Sequence, residues 1–322
     1  MDVRAAVAQA LKASTRTLIA CHTSPDGDCL GTGLALALAL EQRGGTVVVG
    51  SQDGVPTALT FLPGADRVVT AAPRGASFDT AVTIECGTLD RAGTLKPAVA
   101  GAPMIIAIDH HEDHRPYAHL TDWDAAAAAV GEQVADLIPR LDVSINRAMA
   151  VNLLTAIVTD TGVFRFTNTT PNALRVAADL IERGAALHEI VRAVYEEQSP
   201  SALRVLGAAL AGVELREGGA VAFTVLTPEM LEAAGAVPEE VQGIAAMLRT
   251  IRGVRLALVF EQQPTAVHVS IRARDGVRAN AVAQALGGGG HPGAAGAEVP
   301  RSLAETVTLA LDAVRRELGR SA

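Results

Sequence analysis

The sequence predicts a two-domain α/β protein: a parallel-sheet amino-terminal domain joined by a helical linker to a smaller mixed α/β domain. Three observations predict it. Apolar, β-branched runs such as Ile105-Ile106-Ala107-Ile108 lead straight into acids and imidazoles, here Asp109-His110-His111, as buried parallel strands do at their carboxyl ends. The chain turns strongly helical after Pro171 and returns to strand-like runs beyond Val213. A length of 322 residues, 49% of them hydrophobic, suffices for two ordinary cores. The boundaries read as residues 1–185 for the first domain, 186–212 for the linker and 213–322 for the second domain.

Taken in order, Asp2 to Lys12 predicts an opening helix and Thr17 to His22 the first strand. A Pro/Gly loop, Thr23-Ser24-Pro25-Asp26-Gly27-Asp28, then feeds an alanine- and leucine-rich helix reaching about Arg43. His22, Asp26 and Asp28 thus leave one strand end together, a set that suits a divalent cation. Read alone, Asp26-Gly27-Asp28 serves equally well as an N-capping turn. Val47 to Gly50 and Val68-Val69 predict short strands, and Asp79 to Glu85 a longer one ending in an acid. The helix-like segment Arg147 to Thr159 delivers Asp160-Thr161-Gly162 and, just beyond, Arg165. Four separated elements therefore present acid or histidine at the same kind of boundary, and a metal cluster becomes the better reading. In open α/β sheets that boundary is where ligands sit.

Helices are expected over Asn172 to Arg183, Leu187 to Tyr195 and Pro200 to Gly212, with Glu196 to Ala202 as a hinge or an ordinary packed connection. Strands follow at Ala220–Thr227, Val254–Glu261 and Thr265–Arg272, with helices at Glu239–Thr250 and Asn280–Leu286. Arg272 and Arg274 are two apart and share a strand face, suiting phosphate recognition or a solvated edge. Gly287 to Gly290, ending in His291, reads as a flexible linker or a nest of N–H groups for an anion.

Composition excludes several classes. The net charge of −8 argues against holding long duplex nucleic acid, which needs a broadly basic surface, but leaves a short anionic substrate open. No apolar run reaches membrane-span length, so a cytoplasmic protein without membrane contact is expected. Cys21, Cys29 and Cys86 lack CxxC spacing and predict free thiols. Gly31-Thr32-Gly33 fails as a dinucleotide fingerprint because Leu36 stands at the third glycine, and His111-Glu112-Asp113-His114 misses zincin spacing by one residue.

His22-Thr-Ser-Pro-Asp26-Gly-Asp28, Asp109-His110-His111 and Thr159-Asp160-Thr161-Gly162 resemble the motifs of the DHH phosphoesterase superfamily. Ser270-Ile271-Arg272 and Gly287 to His291, with Ala294-Ala295-Gly296, resemble its DHHA1 domain. Order and spacing are similar to the bacterial nanoRNases, the oligoribonuclease and 3′-phosphoadenosine-5′-phosphate (PAP) phosphatase group. The resemblance implies two divalent ions, Mn2+ first and Mg2+ as the alternative, bridged by an acid and a hydroxide. His22 and Asp26 would hold one ion, Asp28, His110 and Asp160 the other, and Glu85 would bridge. Asp109 would orient His110, His111 would face the scissile phosphate, and Arg165, Ser270, Arg272, Gly289, Gly290 and His291 would bind substrate.

Implied substrates are short oligoribonucleotides and PAP, acted on by a homodimer paired through the first domain. Two departures stand out. The bridging position is normally Asp but here is Glu85, so its extra methylene must be accommodated by a strand shift or a longer metal separation. His114 replaces a usual Asn and is read as a solvated loop residue. Alternatives are a cyclic-dinucleotide phosphodiesterase, an inorganic pyrophosphatase or polyphosphatase, and a nucleotide sensor weakened by Glu85.

Overall fold

The computed structural model describes residues 2–241, 243–290 and 292–320. The chain divides into two compact units between Glu197 and Gln198. In the first, helix α1 (Val3–Ala13) precedes strand β1 (Arg16–Cys21), α2 (Gly27–Gln42) and β2 (Thr46–Gly50). Next come β3 (Thr80–Ile84), α3 (Lys96–Ala100), β4 (Met104–Asp109) and β5 (Leu120–Trp123). Helices α4 (Val130–Arg140), α5 (Arg147–Asp160), α6 (Pro171–Glu182) and α7 (Leu187–Val191) complete it.

The strands form one sheet in the order β2-β1-β3-β4-β5, every pairing parallel. Strands β1, β3 and β4 are buried almost throughout, which is why they read as largely apolar runs, with Thr83 the polar interruption within β3. The chain passes from β1 to β2 on one side and then crosses back to β3 on the other. This reversal opens a crevice beyond the carboxyl ends of β1 and β3, the place where such sheets bind ligands.

Helix α2 is apolar on nearly every face because it is enclosed, packing on the sheet and against α4 and α5. Two glycines set that approach. A Cβ on Gly27 would lie 2.5 Å from Thr159 Cγ2, and one on Gly31 would lie 2.3 Å from the carbonyl oxygen of Asn152. The start of α2, carrying Asp26 and Asp28, is thereby pressed against the end of α5, carrying Asp160. Gly31→Ala is expected to destabilise the unit by about 3 kcal/mol, since backbone rather than a flexible side chain must yield. Urea denaturation checks this, and an unchanged midpoint counts against the packing described.

The second unit contains α8 (Pro200–Ala211), β6 (Glu214–Arg216), β7 (Val221–Leu226), α9 (Pro228–Ala234), α10 (Ile244–Leu248) and β8 (Leu256–Gln262). It continues with β9 (Val267–Ala273), α11 (Ala279–Ala285), β10 (Gly289–Gly290), β11 (Ala294–Val299) and α12 (Leu303–Arg320). Its mixed sheet runs β10-β11-β9-β8-β7-β6, parallel only between β7 and β8. Alternate residues of β8 serve two cores: Leu256, Leu258 and Phe260 pack with α11 and α12, Ala257 and Val259 with α8 to α10.

Several expected elements differ. Val68-Val69 is not a strand but a single bridge from Val69 to Gly50. The helix expected over 239–250 shortens to Ile244–Leu248, with Gly243 left-handed at its start. The division falls within residues 186–212, read as a helical linker, with α7 before it and α8 after it. No helix among the described residues is long and apolar enough to cross a membrane.

Candidate metal centre and catalytic site

Each strand of the crevice ends in a functional side chain. His22 follows β1, Glu85 follows β3, and Asp109, His110 and His111 lie at the end of β4. Asp26 caps α2 by accepting from the Cys29 amide at 3.0 Å, so the capping and ligand readings of this loop describe the same residue.

The two inner histidines are set alike. His22 Nδ1 lies 2.7 Å from the Thr23 carbonyl, and His110 Nδ1 lies 3.1 Å from that of Ala127. A ring N–H donated there turns Nε2 toward the acids. His22 Nε2 is 3.8 Å from both Asp26 Oδ1 and Glu85 Oε2. His110 Nε2 is 3.2 Å from Glu85 Oε1 and 3.6 Å from Asp160 Oδ2. Imidazole nitrogens facing carboxylate oxygens need a cation between them, either a proton or a metal ion.

Glu85 sits at the centre, its side chain 2% exposed. Its φ of 55° is left-handed, a strained value for a residue with a Cβ, and its N–H is tied to the Ile108 carbonyl at 3.0 Å. Oε1 and Oε2 face His110 and His22 respectively. Oε2 is buried with no hydrogen-bond partner among the described residues, an orphan a bound cation would satisfy.

Asp28 is held from a distance. Its oxygens accept from the amides of Val130 at 2.6 Å and Gly131 at 2.9 Å, and from Thr32 Oγ1 at 3.0 Å. It thus satisfies open donors at the start of α4, whose own N-cap, Ala129, has no side chain to do so. The same carboxylate groups with His110 and Asp160, donor atoms of all three lying within 4.8 Å.

Burial and mutual repulsion shape the electrostatics. Burial, then the charges of Asp28, Asp26 and Asp160, pushes Glu85 well above the usual carboxylate range. Burial and then Asp28 do the same to Asp160. Burial raises Asp28 against the opposing pull of His110. Desolvation works against a charge on His110, but Asp160 and Asp28 prevail and its pKa is raised. Such a cluster binds either protons or a cation.

Asp109 does not orient the His110 ring as expected. Its Oδ1 pairs with His111 Nδ1 at 2.7 Å and its Oδ2 with His114 Nδ1 at 2.6 Å, while only the backbone N–H of His110 donates to it. Asp109 is fully buried, and although burial opposes its charge, His111 and His114 bring its pKa down to about 2. His114 is likewise no solvated loop residue: its side chain is 5% exposed and lies against Tyr117. Asp109→Asn places an amide N–H₂ against these donors and is expected to lower kcat about 100-fold with little change in KM. Steady-state kinetics checks this, and a KM effect alone would contradict an orienting role.

Other residues were not legible beforehand. Trp123 donates its indole N–H to the His111 carbonyl at 2.8 Å. Arg91 Nη2 lies 3.1 Å from His22 Nδ1, a hydrogen bond only in the tautomer whose Nδ1 carries no proton, whereas the Thr23 carbonyl draws a proton to that nitrogen. Asp90 pairs with Lys96 on the surface and takes no part in the cluster. Beyond Asp160, Gly162, Val163 and Phe164 are all left-handed, and this costly turn lets Arg165 Nε donate to the Gly162 carbonyl at 2.7 Å.

In the second unit, His268, Ser270 and Arg272 share the half-exposed face of β9, with His268 Nε2 3.2 Å from Ser270 Oγ. Desolvation and then Arg249 lower the pKa of Arg272, a strain an anion would relieve. Arg274 instead clamps the carbonyls of Val254 and Ile251. Gly289 and Gly290 pair with β11, and a Cβ on Gly290 would meet the Ala294 carbonyl at 2.7 Å. His291 lies outside the described residues.

Residues 16–159 match the DHH family, N-terminal domain, and residues 218–320 the DHHA1 domain. The chain belongs to the DHH–DHHA1 phosphoesterase family. It is 36% identical to the bifunctional oligoribonuclease and PAP phosphatase NrnA of Thermus thermophilus, over 98% of this chain and 94% of that one. It is 28% identical to the Bacillus subtilis protein of the same name, over 89% and 92%. Its fold matches the crystal structure of an exopolyphosphatase-related protein from Bacteroides fragilis, with a TM-score of 0.91, 23% identity and coverage of 98% and 96%.

Proposed function

We propose that the chain is a metal-dependent phosphoesterase that hydrolyses short oligoribonucleotides to mononucleotides and PAP to AMP. The observation that carries this reading is the pair of imidazole Nε2 atoms facing buried carboxylates around the orphaned Glu85 Oε2. The relatives named as oligoribonuclease and PAP phosphatase support the substrate class.

His22, Asp26 and Glu85 would hold one ion, and Asp28, His110 and Asp160 the other, with Glu85 reaching both. When bound, such a pair lowers the pKa of water and neutralises charge on phosphoryl oxygens. The oxygen-rich, partly histidine donor set suits Mn2+, with Mg2+ as the alternative. Asp109 pairs with the His111 ring through Nδ1, which supports the reading that His111 would face the phosphoryl group. Arg165 in the first unit, and Ser270, Arg272 and the Gly289-Gly290 backbone in the second, would bind substrate phosphate and sugar.

The test is turnover of a ribodinucleotide, PAP and inorganic pyrophosphate side by side in Mn2+. Hydrolysis of the first two is expected. Turnover of pyrophosphate alone, or nucleotide binding without turnover, would replace this reading by a pyrophosphatase or a sensor.

A further inference from the structure

Cys29 stands one residue past Asp28, in the first turn of α2, and its side chain is fully buried. The His22 amide donates to its sulfur at 3.2 Å, and its thiol donates to the Ile84 carbonyl at 3.4 Å. These contacts put Sγ where β1 and β3 end, on the inner side of the crevice. A His22 ring nitrogen, Cys29 Sγ and a Glu85 carboxylate oxygen all lie within 4.8 Å of one another. An independent sign of a ligand is Glu85 Oε2, buried and without a hydrogen bond among the described residues.

We propose that Cys29 makes the His22–Glu85 position a site for thiophilic divalent ions, the class of Zn2+, Cd2+ and Co2+, held by imidazole, thiolate and carboxylate. The proposal rests on reading His22 and Glu85 as metal ligands, and adds to it a donor that favours softer ions. Four-coordinate ions with bonds of about 2.0–2.3 Å place their donors roughly 3.3–3.8 Å apart, so the group closes with about 1 Å of side-chain movement. On binding, the S–H bond breaks, its proton leaves to solvent and a sulfur–metal bond forms, with no change of oxidation state. The Ile84 carbonyl loses a weak donor, while the His22 amide keeps donating to a sulfur that now carries negative charge. Burial holds the free thiol well above its ordinary pKa, so its proton leaves only as the ion binds.

Titrating the full, metal-free chain with Co2+ tests this. The expected wild-type spectrum contains thiolate-to-cobalt charge-transfer absorption in the near ultraviolet, absent from Cys29→Ala and Cys29→Ser but retained in Cys86→Ala and Cys21→Ala. Zn2+ affinity is expected to fall at least tenfold in Cys29→Ala. Visible cobalt bands without the charge-transfer absorption overturn the proposal and leave the two-metal reading standing. Absence of both kinds of band overturns both. The wild-type spectrum, with the Cys86 and Cys21 variants, decides the matter even where Cys29 variants fail to fold.

Discussion

Asp160→Ala is expected to lower hydrolysis of a ribodinucleotide and of PAP by at least about 10³-fold, about 4 kcal/mol of barrier, while the metal-free protein melts no lower than wild type. Asp160 lies at the end of α5 with Oδ2 3.6 Å from His110 Nε2, in the donor group that includes Asp28. Burial and the Asp28 charge raise its pKa well above the ordinary range, so without a cation its ionised form is a liability to the fold. Removing it relieves repulsion but dismantles one proposed ion site. Groups kept for function at a cost in stability behave this way. Thermal melts with and without Mn2+, alongside kcat on both substrates, read out the two halves. The Mn2+-induced rise in melting temperature should shrink or vanish in the variant. Retained turnover would remove Asp160 from the ligand set, and a collapsed fold would show that its role is architectural.

The metal-free protein is expected to lose stability progressively above about pH 5. Folding raises the pKa of Glu85, chiefly by burial and then through Asp28, Asp26 and Asp160. Asp160 and Asp28 are raised too, again chiefly by burial. A carboxyl raised by folding binds its proton more tightly in the folded state, so its contribution is complete below the unfolded pKa, near 4, and drains away as pH climbs through the folded value. His110, raised as well, acts in the same direction at higher pH. Asp109, lowered to about 2, has the opposite sign, but its contribution is already complete above the ordinary carboxylate range and cannot offset the decline. Each tenfold change in proton affinity is worth about 1.4 kcal/mol, and the three carboxyls act in the same direction.

Mn2+ should restore what is lost, with a larger gain at pH 8 than at pH 6, because the ion displaces protons at low pH and fills a vacant charge deficit at high pH. Glu85→Gln should flatten the metal-free slope. Denaturation at a series of pH values, in chelator and in Mn2+, checks this. A flat metal-free profile would mean that the cluster is not the proton store described.

The strands that build the crevice were legible because burial on both faces turns a parallel strand into an unbroken apolar run, and Ile105 to His111 shows both the run and its polar end. The long α5 was legible for a related reason, being mostly apolar from Met149 to Val158, with Asn152 and Thr155 as the polar exceptions, and closed by Asp160. Strand β5 was not, since Leu120–Trp123 is a four-residue edge of mixed polarity. Helix α4 hid because the side chain serving its first amides is Asp28, 102 positions away from Val130, and no local signal carries that. Asp109 was legible as an acid beside histidines, but not its choice of partner. The strand ends there, and the chain turns so that His111 and His114 return to it while the His110 ring goes to Ala127. Nor could spelling alone place Glu85 in a left-handed conformation. In the second unit, Gly289-Gly290 and Ala294 to Gly296 form strands from residues too small to show alternation.

The wholly parallel first sheet has a kinetic consequence. No strand in it can pair with its neighbour through a hairpin. Strand β1 finds β3 only after the intervening α2 and β2 have been placed, and Asp28 finds Val130 later still. The second unit, by contrast, holds an antiparallel β8–β9 pair whose ends, Gln262 and Val267, face each other across a short loop. Since loop closure must precede the contacts that reward it, the slow step of folding belongs to the first unit. The first unit, Met1–Glu197, is therefore expected to complete its sheet after the second has closed its β8–β9 pair.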